Sequence, residues 1–143
     1  MEAKQSDVMA ILKLYELRRD DKMRAARVWF FTEFNPTTTT DIAKLMMSGE
    51  AASANFRMIT SYWEMAASFV NNGGIDEKLF LDANTEHIGV FAKMEPFVTE
   101  IREVFGETNY LTQLETLVMK VPHAKQIMAA RRKLLASWAK ATT

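Results

Sequence analysis

Residues 56–82 constrain the fold most, because they specify a buried helix, the signal that ends it and the element that follows. In the helical part of this segment, the polar residues recur at three- and four-residue steps, and apolar and aromatic residues fill the rest of the helical wheel. The polar residues are Arg57, Thr60, Ser61, Glu64, Ser68 and Asn71. A helix this apolar has to be covered by neighbouring helices on several sides. The pattern therefore predicts a central hydrophobic helix at about residues 50–72.

Glycine, proline and capping residues divide the rest of the chain into further helices. Gly73 ends the central helix, since glycine reaches the left-handed conformation of a helix C-cap without strain, and Asp76 caps a short helix after it. Pro96 is predicted to kink or break a later helix and to begin a second piece. A further helix is expected from Thr108 or Asn109, and Pro122 begins the last. With no segment alternating as a strand does, we predict an all-α bundle or array of about seven to eight helices.

Length and composition favour one domain over residues 1–143, because 48% hydrophobic residues suffice for a core. The absence of cysteine excludes disulfides, thiolate zinc and a cysteine nucleophile, and it fits a reducing compartment. The N-terminal residues lack a signal-peptide core, and the longest apolar cluster, residues 28–31, is far shorter than the roughly 20 residues of a membrane span. We expect a cytoplasmic protein without a membrane span.

Charge is balanced over the chain but unevenly placed. The formal net charge is zero, which argues against nucleic acid or an anionic membrane as a partner. Residues 72–115 contain nine acidic and three basic residues, whereas the residues after Glu115 contain six basic and no acidic ones. The simplest interpretation is that the two regions pair, within the fold or between subunits. The run Arg131, Arg132 and Lys133 spreads around its helix, so binding of nucleic acid through it is the weakest hypothesis.

Searches for catalytic and metal-binding patterns find none. The two histidines, His87 and His123, lack the Glu-x-x-His pattern of di-iron bundles and the paired spacing of helical zinc sites. His87 is expected on a partly exposed face. No nucleophile elbow or phosphate loop is present, because Gly73 and Gly74 follow a helix rather than a strand. We therefore expect no catalytic residue, no metal and no cofactor.

Four residues form the candidate binding site: Arg27, Trp29, Trp63 and Glu64. Arg27 lies beside an aromatic stripe and Glu64 lies on the narrow polar stripe of the central helix, so the two are predicted to pair. Glu64 then has two interpretations. It is a structural ion-pair or core carboxylate, which we favour, or a base with a raised pKa in a pocket beside Trp63.

Four short segments carry a resemblance to a known family. They are residues 14–20 (LYELRRD), 26–30 (ARVWF), 61–64 (SYWE) and 74–80 (GIDEKLF). Over residues 12–102 the chain resembles a family of small bacterial helical proteins that is catalogued as a domain of unknown function. The resemblance implies a bacterial source and a helical fold, and it transfers no catalytic residue or ligand.

Two functional hypotheses follow. The leading one is a non-enzymatic protein-interaction or structural module that acts through a protein partner or as a homo-oligomer. The alternative is a helical bundle that binds a small molecule or acts as an enzyme, with a pocket near Trp63 and Glu64 lined also by Arg27 and Trp29. The alternative predicts a cavity of a few hundred Å³ that opens to solvent beside Glu64.

Overall fold

The chain is all-helical, as predicted. The computed structural model describes residues 3–139, and within them it contains eight helices and no strand. The helices are α1 (Gln5–Arg18), α2 (Asp21–Thr32), α3 (Thr39–Met47), α4 (Ala51–Asn71), α5 (Glu77–Ala83), α6 (Glu86–Phe105), α7 (Thr112–Met119) and α8 (Ala124–Trp138). None of these helices is long and apolar enough to cross a membrane.

Helix α4 is the central helix predicted at about residues 50–72. It packs against α2, α3, α5, α6 and α7, which explains why most of its circumference is apolar. Phe56, Ile59 and Trp63 are among its fully buried side chains. Burying one large apolar side chain stabilises a fold by about 1.5–3 kcal/mol, so α4 contributes a large part of the core energy.

Local capping signals act where the sequence places them. The Asp20 carboxylate accepts the Lys22 and Met23 amides at the start of α2, and Asp76 accepts the Leu79 amide at the start of α5. Helix α4 ends before Gly73, whose φ of 81° lies in the left-handed region. Each cap satisfies amides or carbonyls that the helix leaves unpaired, which is typically worth about 1 kcal/mol.

Pro96 does not break its helix, contrary to the prediction of a second piece. Helix α6 is continuous from Glu86 to Phe105. Pro96 has no amide hydrogen to donate to Ala92 O, the carbonyl four residues earlier. Arg132 of α8 donates Nη1 to that carbonyl at 2.8 Å. A tertiary hydrogen bond therefore replaces the one that proline removes.

Helix α7 begins at Thr112, later than the predicted Thr108 or Asn109. Residues 108–111 form turns instead. The residue before the helix, Leu111, has a left-handed φ of 56°, and its side chain is only 3% exposed. For an L-residue that conformation costs about 1–2 kcal/mol, so burial of the leucine has to offset the strain.

The acidic middle and the basic end of the chain pair within the fold. Lys120 Nζ lies 3.1 Å from Glu77 Oε1, and Glu95 accepts both Lys125 and Arg132. These groups are partly or largely exposed, and such pairs add at most about 1 kcal/mol each. The two contacts of Glu95 orient α8 against α6 more than they stabilise the fold.

Candidate functional site

A cleft of about 520 Å³ opens between α2, the first turns of α6, and α8, and is termed the α2–α8 cleft. Its large apolar lining residues are Val28, Phe31, Leu134, Leu135 and Trp138, and its charged ones are Arg24, Arg27, Glu86 and Arg131. Val28, Leu134 and Trp138 are 59%, 47% and 53% exposed. The cleft thus combines an apolar surface with a rim rich in arginine.

Arg27 lines this cleft and pairs with Glu86. Arg27 Nη2 lies 2.7 Å from Glu86 Oε1, and Arg27 Nε donates to Glu86 Oε2 at 3.0 Å. The hydrogen bond to Glu86 raises the pKa of Arg27. Arg18 Nη1 approaches the same carboxylate at 4.0 Å. The predicted Arg27–Glu64 pair is therefore wrong, because the side of α2 that carries Arg27 faces the start of α6.

Glu64 instead caps helix α7. Its Oε1 accepts the Leu114 amide at 2.8 Å and its Oε2 accepts the Gln113 amide at 3.1 Å. The residue in the N-cap position, Leu111, has no side chain that can accept these bonds. A carboxylate from the central helix therefore satisfies the first turn of α7 and complements its dipole. This is the structural role favoured for Glu64, with backbone amides as the partner.

Trp63 and Trp29 lie in two different parts of the fold and contact different residues. Trp63 is 1% exposed and packs edge-on against Tyr62, with the Arg18 guanidinium 5.5 Å from its ring centre. Trp29 is partly buried, and its ring lies 5.4 Å from that of Phe34. Of the four predicted site residues, only Arg27 lines the α2–α8 cleft. Trp63 connects to it indirectly, through Arg18 and the shared carboxylate.

His87 is fully buried, so the expectation of a partly exposed face is wrong. Its ring lies 5.8 Å from that of Trp63 and 5.3 Å from that of Phe80. Burial, assisted by the Arg131 charge, lowers the pKa of His87 from 6.5 to about 4, which keeps the ring neutral. Helical spacing indicates this burial, because His87 precedes Phe91 by four residues and therefore lies on the apolar stripe of α6.

A second cleft of about 550 Å³, termed the α5–α8 cleft, lies on the other side of the first turn of α6. Its apolar lining includes Leu81, Ile88 and Ile127. Thr85 and Arg131 line both clefts, and Arg131 Nη1 donates to Thr85 O at 3.0 Å. The two clefts therefore meet at Arg131.

Arg24 and Arg131 have no carboxylate within ion-pair distance in the part of the chain that the structure describes. Arg24 belongs to the charge run of residues 18–27, and Arg131 belongs to the run of residues 131–133 in the basic end of the chain. The signal that identifies them is helical spacing. Arg24 shares a face with Val28 and Phe31 on α2, and Arg131 shares one with Leu134, Leu135 and Trp138 on α8.

No group of three or more His, Cys, Asp or Glu side chains among residues 3–139 has the geometry to hold a metal ion. The charged groups of the α2–α8 cleft are three arginines and the Glu86 carboxylate, which is already paired with Arg27. Their chemistry suits recognition of an anionic group on an apolar body.

Comparison with known proteins gives a family and no characterised relative. No curated protein and no solved structure matches the chain. One family model matches residues 4–121, a range that extends beyond residues 12–102 on both sides and contains α1 to α7. Helix α8, which forms one wall of both clefts, follows the matched region. The chain belongs to the family described as a domain of unknown function (DUF4760).

Proposed function

We propose that this protein is a non-enzymatic module that binds a protein partner through the α2–α8 cleft. The observation that carries the proposal is that exposed apolar side chains share one surface with Arg24 and Arg131, which have no carboxylate partner among residues 3–139. Aromatic residues and arginine are enriched in protein interfaces, and contiguous exposed apolar surface marks such sites. A second copy of the chain is one form that the partner can take.

The charged groups of the cleft support binding rather than proton transfer. Glu86 is the acid among the lining residues, and Arg27 holds its carboxylate in bidentate geometry. The residues whose pKa values burial lowers most, His87 and Lys93, line neither the α2–α8 cleft nor the α5–α8 cleft. A general acid or base has to reach its substrate, and these groups are enclosed by packed helices.

Site-specific photo-crosslinking in cells of the source organism tests the proposal. The crosslinker p-benzoylphenylalanine replaces Val28 in the cleft or, as a matched control, Val104 on the far end of α6. Val28 and Val104 are 59% and 62% exposed, so the two probes are equally accessible. We expect a discrete protein adduct from position 28 only, and the same adduct to weaken when Arg24→Glu reverses a rim charge.

The size of the adduct separates a foreign partner from a second copy, because self-association gives twice the chain mass. Either adduct supports the proposal when it is specific to position 28 and sensitive to Arg24→Glu. No adduct from position 28, or equal adducts from both positions, contradicts it. Circular dichroism and thermal unfolding of each variant establish that the fold is intact.

Small-molecule binding is the second candidate, now placed in the α2–α8 cleft rather than beside Trp63 and Glu64. The volume of about 520 Å³ favours it, since small-ligand pockets span about 300–1,000 Å³. Of the three indole N–H signals in a nitrogen–proton NMR spectrum, that of Trp138 reports on this cleft. A selective shift of the Trp138 signal with aromatic carboxylates supports this candidate, and unchanged spectra across the series reject it.

We further propose that the protein acts in the cytoplasm of a bacterium. The family resemblance supports the source, and the absence of cysteine fits a reducing compartment. Fractionation of source cells, followed by immunoblotting, tests the location. Recovery in the soluble cytoplasmic fraction is expected, and recovery in the membrane or the medium contradicts the proposal.

A further inference from the structure

We infer that the partner presents an extended acidic peptide segment, and that Arg131 binds its carboxylate where the α2–α8 and α5–α8 clefts meet. This inference rests on the proposed function and names the chemistry of the partner. It follows from the adjacency of the two clefts and from the arginines along them that have no carboxylate partner among residues 3–139.

The two clefts adjoin at the start of α6, on either side of the hydrogen bond from Arg131 Nη1 to Thr85 O, and together they are termed the groove. Thr85 and Arg131 line both, so Arg131 stands between an apolar recess of about 520 Å³ and another of about 550 Å³. A compact ligand fills one recess. An extended peptide advances about 3.3 Å per residue and can place apolar side chains in both recesses with a polar one between them.

Unpaired positive charge lies at the junction and at one wall of this groove. Arg131 uses one of its five donors on Thr85 O, and the remaining donors have no carboxylate within reach in the described chain. The lysines of the α5–α8 cleft differ, because Lys120 pairs with Glu77 and Lys78 pairs with Asp82. An acidic side chain of the partner over Arg131 would therefore accept hydrogen bonds from these remaining donors and balance the positive charge of the guanidinium.

The neighbouring basic residues do not form a track for nucleic-acid phosphates. Arg132 donates to Ala92 O and approaches Glu95, on the side of α8 that packs against α6. Arg131 points to Thr85 O, and Lys133 is exposed. Consecutive residues that point in different directions do not line one groove, so one carboxylate fits this surface better than a phosphate backbone.

A library of random phage-displayed peptides of about 12 residues, panned on the full chain, tests the inference. We expect enriched sequences to share an Asp or Glu flanked by large apolar residues. Binding of the best synthetic peptide is then measured by fluorescence anisotropy. Arg131→Met should weaken it at least about tenfold, whereas Lys133→Met, on the same helix, should leave it unchanged. Replacing the peptide acid by its amide should weaken binding to the parent chain and have little further effect on Arg131→Met.

Several results overturn the inference. They are an enriched motif without an acid, equal affinity for Arg131→Met, or a shift of the Trp138 signal by small aromatic carboxylates without any enriched peptide. If these occur while the Val28 crosslink persists, the partner binds through a folded surface and only the peptide inference fails. If no crosslink forms and no peptide is enriched, the proposed function fails too. The pattern of indole N–H signals establishes that Arg131→Met is folded.

Discussion

Loss of Arg132 should destabilise the wild-type chain more than a chain that carries Pro96→Ala. In the wild type, Arg132 Nη1 donates to Ala92 O, the carbonyl that Pro96 cannot serve. In Pro96→Ala the new amide at position 96 can donate to Ala92 O within α6. The carbonyl then has a partner whether or not Arg132 is present, so the two substitutions should be coupled.

The expected coupling energy is about 1–2 kcal/mol. Ala92 is fully buried, and a buried carbonyl without a donor costs about 1–3 kcal/mol. Arg132→Met retains most of the aliphatic packing and removes the donor. It also removes the 3.4 Å contact with Glu95 Oε1, but that loss is the same in both backgrounds and cancels in the cycle. Pro96→Ala alone should stabilise the chain, since it restores a helical hydrogen bond.

Urea unfolding of the parent chain, Pro96→Ala, Arg132→Met and the double variant measures all four free energies. Lys125→Met is the control for loss of a Glu95 partner, because Lys125 contacts the same carboxylate but no backbone carbonyl of α6. It should show no coupling to Pro96→Ala. Equal costs of Arg132→Met in both backgrounds would refute the idea that Arg132 compensates for the proline.

Three further predictions concern two buried titratable residues, His87 and Lys93, and the carboxylate of Glu64 that caps α7. Because burial lowers the pKa of His87 from 6.5 to about 4, the folded protein binds fewer protons than the unfolded chain between these values. Stability is therefore full above about pH 6.5 and falls by about 3 kcal/mol towards pH 4, a loss that His87→Leu but not His123→Asn should remove in urea titrations. Burial likewise lowers the pKa of Lys93 from 10.5 to about 8. Stability should therefore rise by about 2 kcal/mol between about pH 7 and 9.5, and Lys93→Met should abolish the rise. Glu64→Ala should cost about 1–2 kcal/mol in thermal unfolding through loss of the α7 cap, and exposed Ser61→Ala much less.

The central helix and several helix boundaries could be predicted because their causes are local. The period of apolar residues in α4 and the left-handed Gly73 after it lie within a single stretch of chain. Asp20 and Asp76 likewise act on amides two or three residues away. Such signals do not depend on how the helices pack.

The behaviour of Pro96 and the start of α7 could not be predicted in the same way. Arg132 reaches Ala92 O from another helix, and Glu64 caps α7 from α4. Each partner is remote in sequence and becomes relevant only after the helices have packed. Local rules state what a proline or an uncapped helix lacks, and tertiary structure decides what supplies it.

The same distinction explains why the candidate site lies in the α2–α8 cleft rather than beside Trp63 and Glu64, where the sequence predicted it. Helix periodicity places Arg27 beside an aromatic stripe, but it does not determine whether that face of α2 meets Glu64 or Glu86, since both acids lie on helices that pack near it. The cleft itself depends on two helices from opposite ends of the chain, α2 and α8. Each carries an arginine followed by large apolar residues at helical spacing, and each alone resembles an ordinary solvated charge run. The site forms only where these two helices meet across the start of α6. There they enclose an apolar cleft with two arginines, Arg24 and Arg131, that have no carboxylate partner among residues 3–139. A sequence search for this site therefore has to seek the two patterns together.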